Sequence, residues 1–108
     1  LGLAAVWTGA SARDLGFHHI ARWMADAPAR LAGLGGIKGR IAPGADADVV
    51  FWNPDEEAVV DGSALFHRHH VTPYNGLSLK GRVIKTWLRG QVIFDSGVIL
   101  GRPCGTFI

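Results

Sequence analysis

The run His67-Arg68-His69-His70 is the densest group of possible metal ligands in the chain. In a strand, His67 and His69 would point to the same side, as paired zinc ligands can. A zinc site needs three or four ligands, and no Cys or carboxylate lies at a supporting short spacing. The run therefore reads as a partly exposed His-rich loop that hydrogen-bonds or sits at an interface. His18 and His19 are adjacent, are expected to point in different directions, and read as helix-surface residues. Asp46 and Asp48 form an acidic pair of the type that holds a hard cation. Two carboxylates without a cation-loop spacing read better as turn residues whose side chains hydrogen-bond the backbone. Cys104 has no His partner at a recognisable spacing and reads as a buried or tail thiol, not a nucleophile. Gly33-Leu34-Gly35-Gly36 lacks the Lys-Ser/Thr ending of a phosphate loop. No residue is assigned a catalytic, cofactor-binding or metal-binding role.

The totals bound what could position these residues. At 108 residues the chain makes one small domain with a modest core. A hydrophobic content of 48% and a net charge of +2 fit a globular protein without the basic runs of a nucleic-acid binder. One cysteine excludes an internal disulfide and is compatible with a reducing compartment. The apolar start, Leu1 to Trp7, is far shorter than the ~20 residues of a membrane helix. It lacks the flanks of a signal peptide. A start in mid-pattern leads us to expect further sequence upstream.

Leu1 to Trp7 predicts the end of a buried helix, with Thr8-Gly9 stopping it. Phe17, Ile20, Ala21 and Met24 are spaced i, i+3, i+4 and i+7, which predicts an amphipathic helix over 17–25. Gly16 is its N-cap, although Ser or Asp would serve better. Asp26-Ala27-Pro28 should break that pattern, and a new short helix should run over 28–34 with Leu31 and Leu34 buried. From Ile37 the texture changes to strands and turns. Pro43-Gly44 is a turn dipeptide, Val49 to Trp52 is a strand, and Asn53-Pro54 should end it. A short strand is expected around Val59 and Val60, then a turn over 61–66 and a loop over 67–76. Residues 82–88 alternate as a strand, Arg89-Gly90 turns a hairpin, 91–94 pairs back, and 98–100 forms a last short strand. Phe51, Trp52, Trp87 and Phe94 read as core, not as a stacking platform. Val83, Ile84, Trp87 and Phe94 are expected inside, with roughly 3–5 kcal/mol lost on removing Trp87 if it is fully buried.

Three stretches carry a family resemblance. The helix over 20–34 followed by Lys38, Gly39, Ile41, Gly44, Asp46, Ala47 and Asp48 resembles the Lys-Gly-x-Ile-x-x-Gly-x-Asp-Ala-Asp passage of cyclic amidohydrolases. That turn pattern is shared by dihydropyrimidinases, hydantoinases, dihydroorotases and allantoinases. The stretch from His67 through Thr72-Pro73-Tyr74 and Gly76 to the Arg89-Gly90 hairpin is similar to the allantoinase version. The opening over 1–10 resembles the helix after the final barrel strand, and the likeness extends through the tail. Gly16 with His18-His19 departs from a helix start that usually carries Ser and an acidic residue.

The resemblance implies an α+β fragment: residues 1–36 as the last helices of a metal-dependent (β/α)8 barrel, and 37–108 as most of a small C-terminal β-sandwich. It implies a cytoplasmic, homo-oligomeric (tetrameric) enzyme of purine catabolism that hydrolyses a small cyclic ureide, allantoin to allantoate. A zinc-bound hydroxide would attack the ring carbonyl, with an Asp of the last barrel strand as base. Family members hold a binuclear zinc centre with His-x-His, a carboxylated Lys, two further His and that Asp. All of these precede the region matching Leu1, so His67 and His69 share only the spelling of the family's motif. A barrel takes ~250 residues. We therefore expect no zinc on this chain and no turnover by it alone, and no nucleic-acid or membrane partner. A hydantoinase- or dihydropyrimidinase-type hydrolase, or a non-catalytic stand-alone β module, is the alternative.

Overall fold

A computed structural model describes residues 1–69 and 71–106. His70, the end of the His-rich run, lies outside the described residues. The order is α+β: helices first, then a four-stranded antiparallel sheet. Helix α1 spans Gly2–Ser11 and does not stop at Thr8-Gly9. Thr8 Oγ1 donates to Ala4 O at 2.7 Å and accepts from the Lys80 backbone N–H at 2.8 Å, so the residue expected to end the helix ties it to the sheet. The true stop is Asp14, in the left-handed region at φ 57°, with Leu15 N donating to Ala10 O and Asp14 N to Ser11 O. That is the paired bonding of a Schellman end, made here by Asp.

The next helical segment does not break before Pro28. Helix α2, Phe17–Ala21, runs into a wide π turn, Arg22–Asp26, and on into α3, Ala27–Leu31. Pro28 has no N–H to bond back along a regular helix. A widened turn immediately before it absorbs that mismatch. Gly16 is the N-cap and makes no side-chain cap bond. Gly33 ends α3 at φ 74°, with Leu34 N donating to Ala29 O and Gly33 N to Arg30 O. Leu31, expected to be buried, is 91% exposed, while Ala29 supplies the inward contact.

The sheet is a meander: β1 Val49–Val59, β2 Ser78–Leu88, β3 Gln91–Asp95 and β4 Val98–Ile99. Pro54 does not end β1. The ladder pairs Asn53 with Arg82 and then Glu57 with Lys80, so Pro54, Asp55 and Glu56 stand opposite Gly81 alone. A bulge is one of the few places where a strand tolerates proline, because no ladder bond is asked of it. Both two-residue turns carry paired positive φ angles, Arg89 (48°) with Gly90 (80°) and Ser96 (50°) with Gly97 (95°). These match the right-handed twist of a tight hairpin. Between β1 and β2, Asp61 caps the 3-10 turn Gly62–Ala64 by accepting from Ser63 N at 2.9 Å.

The core is where α1 meets the bulge. Trp7, Ala10 and Ile20 are buried together, with Leu3, Leu15 and Trp52 packed around them. The Trp7 indole N–H donates to Pro54 O at 2.9 Å, its ring stacks on Phe17 at 4.8 Å, and it meets Trp52 edge-on at 5.4 Å. Gly81 sits beneath both indoles at φ 100°; a Cβ there would lie 3.1 Å from each ring. The expected core of Val83, Ile84, Trp87 and Phe94 is corrected accordingly. Ile84 is 41% exposed and the other three are half-buried, so the full-burial cost assigned to Trp87 does not apply. Phe51 lies exposed against Trp87 on the sheet face away from Trp7. Gly81→Ala should lower stability by about 1–3 kcal/mol, from backbone strain plus crowding. Urea unfolding followed by tryptophan fluorescence reads this; a midpoint equal to the parent's would show that the indoles are not seated on this backbone.

Candidate functional site

The densest charged constellation is built by the segment between α3 and β1. The Pro43-Gly44 turn forms as its sequence predicts, with Ala45 N donating to Ala42 O at 3.1 Å and Gly44 at φ 85°. Gly39, at φ 86°, lets the segment lie on the helices: a Cβ there would come within 2.7 Å of Ala25 O and 2.6 Å of Ala29 Cβ. This backbone brings Lys38 Nζ to 2.8 Å from Asp46 Oδ2 and 2.6 Å from Asp48 Oδ2. The other Asp48 oxygen accepts the Arg89 backbone N–H at 2.8 Å, and Ala47 O accepts the Gly90 N–H at 2.9 Å. The sequence leads one to expect these carboxylates to cap their own turn, and they do not. They grip Lys38 on one side and, through Asp48, the β2–β3 hairpin on the other. Lys38 was the residue missed; its place at the head of the same motif was the available signal.

The electrostatics follow from that geometry. Hydrogen bonds donated by Lys38 to Asp46 and then to Asp48 hold the ammonium above its ordinary range, so the amine stays protonated and is no nucleophile. Desolvation works against the Asp48 carboxylate, but the Lys38 ammonium and the Arg89 N–H outweigh it and hold Asp48 below its usual value. The ammonium occupies the place a cation would take between the two carboxylates. The arrangement is a clamp in which the ammonium and both carboxylates are engaged with one another.

The other candidates are dispersed. His67 and His69 lie on a loop, not in a strand; His67 Nε2 lies 3.3 Å from Gly62 O and His69 is exposed. Among the described residues, no group of three or more His, Cys, Asp or Glu side chains could hold a metal ion. His18 and His19, expected to diverge, bring their rings to 3.9 Å, and His19 also lies against Trp23 at 5.3 Å. Cys104 is half-buried in the tail, where its carbonyl accepts from the Arg89 guanidinium, which also donates to Thr106 Oγ1 at 2.8 Å. An open groove of about 910 Å³ runs between the helices and β1, lined by apolar residues such as Phe17, Met24, Ile41, Val50 and Trp52. The Lys38 and Asp48 at its wall are already paired with each other.

The clamp should show in the pH dependence of stability. Asp48 has its folded pKa below the ordinary 3.8, so its contribution is full above that value and fades as pH falls through the folded pKa. Lys38 is raised above 10.5, so its contribution is full below that value and fades as pH rises through the folded pKa. Lys38→Met should flatten the acid limb between about pH 5 and pH 2 relative to the parent. Thermal melts across that range check this, and parallel curves for the two proteins would contradict it.

Comparison with known proteins bears on what this framework belongs to. The sequence profile of the amidohydrolase family matches residues 7–94. An allantoinase of Streptomyces avermitilis is 46% identical over 97 residues, covering 90% of this chain and 22% of that protein. A probable allantoinase 2 of Dictyostelium discoideum is 39% identical over 97 residues, covering 90% and 19%. A solved D-hydantoinase superposes with a TM-score of 0.92 at 34% identity, covering 98% of this chain and 23% of that one. The chain thus spans about a fifth of the length of the relatives it matches. With most of its residues inside the family profile and nearly all of its backbone superposable on a solved D-hydantoinase, the chain belongs to the amidohydrolase family.

Proposed function

We propose that this chain is the C-terminal part of a longer, metal-dependent cyclic amide hydrolase whose substrate is allantoin. The observation that carries the reading is the identity of 46% to an allantoinase over nine-tenths of the chain. Residues 1–36 would then be the closing helices of a catalytic barrel and 37–108 most of a β-sandwich beside it. Zinc is the metal we assign to the whole enzyme, a homo-oligomer of the cytoplasm. The described residues offer that zinc no ligand set: His67 Nε2 lies 3.3 Å from Gly62 O, and no three ligands converge among them. No hydrolytic step is therefore assigned to a residue of this chain. Its part is to carry the clamp and the sheet that a barrel would pack against. The D-hydantoinase superposition favours one second reading, a hydantoinase-type hydrolase.

A substrate panel on the intact enzyme separates the two. Turnover of allantoin with little or none of dihydrouracil supports the first reading, and the reverse favours the second. His67→Ala combined with His69→Ala should leave zinc content and turnover within about twofold of the parent, as for surface changes remote from chemistry. Loss of stoichiometric zinc in that variant would place the metal on this chain.

A further inference from the structure

Asn75-Gly76 is the one Asn in the chain that can cyclise onto its successor, since Asn53 is followed by Pro54. In a free Asn-Gly segment the glycine nitrogen attacks the side-chain carboxamide carbon. The new C–N bond closes a succinimide and ammonia leaves with the amide nitrogen. Water then opens the ring at either carbonyl to give aspartate or isoaspartate. The net change is hydrolysis of one carboxamide, with no oxidant or reductant.

Here both reacting groups are held, and by the same short segment. Asn75 Oδ1 accepts the Gly62 N–H at 2.8 Å, and the Gly76 N–H donates to Val60 O at 2.9 Å. Leu77 N donates to Tyr74 O across the turn, with Gly76 at φ 78°, and Val60 N donates to Leu77 O. Attack requires the carboxamide to leave Gly62 and the Gly76 nitrogen to leave Val60. Asn75 itself is exposed, so water reaches it and the restraint is conformational. We propose that Asn75 is a latent deamidation site, locked in the folded loop and released when residues 60–62 and 72–77 part. Each opening then exposes the molecule to an irreversible mark. The aspartate product retains an oxygen that can accept the Gly62 N–H. The isoaspartate product adds a backbone methylene between Asn75 and Gly76 and cannot restore both bonds.

The test follows deamidation of the intact protein by mass spectrometry of the peptide carrying Asn75, in native buffer and in urea. A synthetic peptide spanning the loop gives the unrestrained rate. Two hydrogen bonds of ordinary worth should slow the native rate by about tenfold or more against the peptide. Urea should restore it, with isoaspartate in the product. Gly62→Pro removes the N–H that holds Asn75 Oδ1, and its ring carbons would press on Asn75 Oδ1 and Thr72 Cγ2; native deamidation should then move toward the peptide rate. A native rate equal to the peptide's overturns the proposal, as does a folded Gly62→Pro protein that deamidates no faster than the parent. If Gly62→Pro does not fold, the native-against-peptide comparison decides.

Discussion

The structure depends on Trp7 being seated over Gly81. One indole satisfies the carbonyl that Pro54 turns out of the ladder, stacks on Phe17 and meets Trp52 edge-on. Each contact needs the others in place. The bulge exists because β1 has Pro54, Asp55 and Glu56 opposite Gly81 alone. The indoles approach the backbone because Gly81 has no Cβ and holds a φ that other residues rarely adopt. The helices and the sheet are therefore joined by one aromatic anchor, not by a broad apolar interface. Thr8 adds a second link through the Lys80 amide.

A charged clamp fixes the opposite end of the β1–β2–β3 region. Lys38, Asp46 and Asp48 hold the segment after α3 closed, and Asp48 carries the restraint into the hairpin through Arg89. Partly exposed ion pairs contribute modestly to stability. Their value here lies in geometry, because one lysine bridges two carboxylates and one of those also reaches the next turn. Five residues of the recognisable motif have a physical duty in that arrangement: Gly39 for close approach to the helices, Gly44 for the turn, and Lys38, Asp46 and Asp48 for closure. This accounts for a stretch that marks the family so strongly while offering no reactive group.

The apolar surface left open is the other consequence of this build. Among the described residues only Trp7, Ala10, Ile20, Ala29 and Val60 are buried hydrophobics, while Leu31 and Ile41 are about nine-tenths exposed. A sheet backed by one thin layer of helix cannot cover both of its faces. The enzyme proposed above would supply the missing cover, and the groove along Phe17, Met24 and Val50 is one place for it.

Much of this was legible in the residues. The α-then-β order, the Pro43-Gly44 and Arg89-Gly90 turns and the β2–β3 pairing follow from local rules, because turn residues and strand alternation act over a few positions. The readings that failed at Thr8 and Pro54 were those where a distant contact outweighed a local signal. Thr8 and Pro54 look like stops, but one bonds the sheet and the other lies in a bulge whose carbonyl meets Trp7. Pro28 looks like a break, but the π turn before it absorbs the missing bond. Asp46 and Asp48 look like caps of their own turn, but the groups they grip, Lys38 and through Asp48 the Arg89 amide, come to them only when the chain folds back. The sequence by itself determined the family, the element types and the turns, since these depend on residue identity at short range. Tertiary structure alone decided that Thr8 and Pro54 are not stops, which aromatics are buried and that Asp48 grips the hairpin, since those depend on groups brought together across 41 to 72 residues of chain.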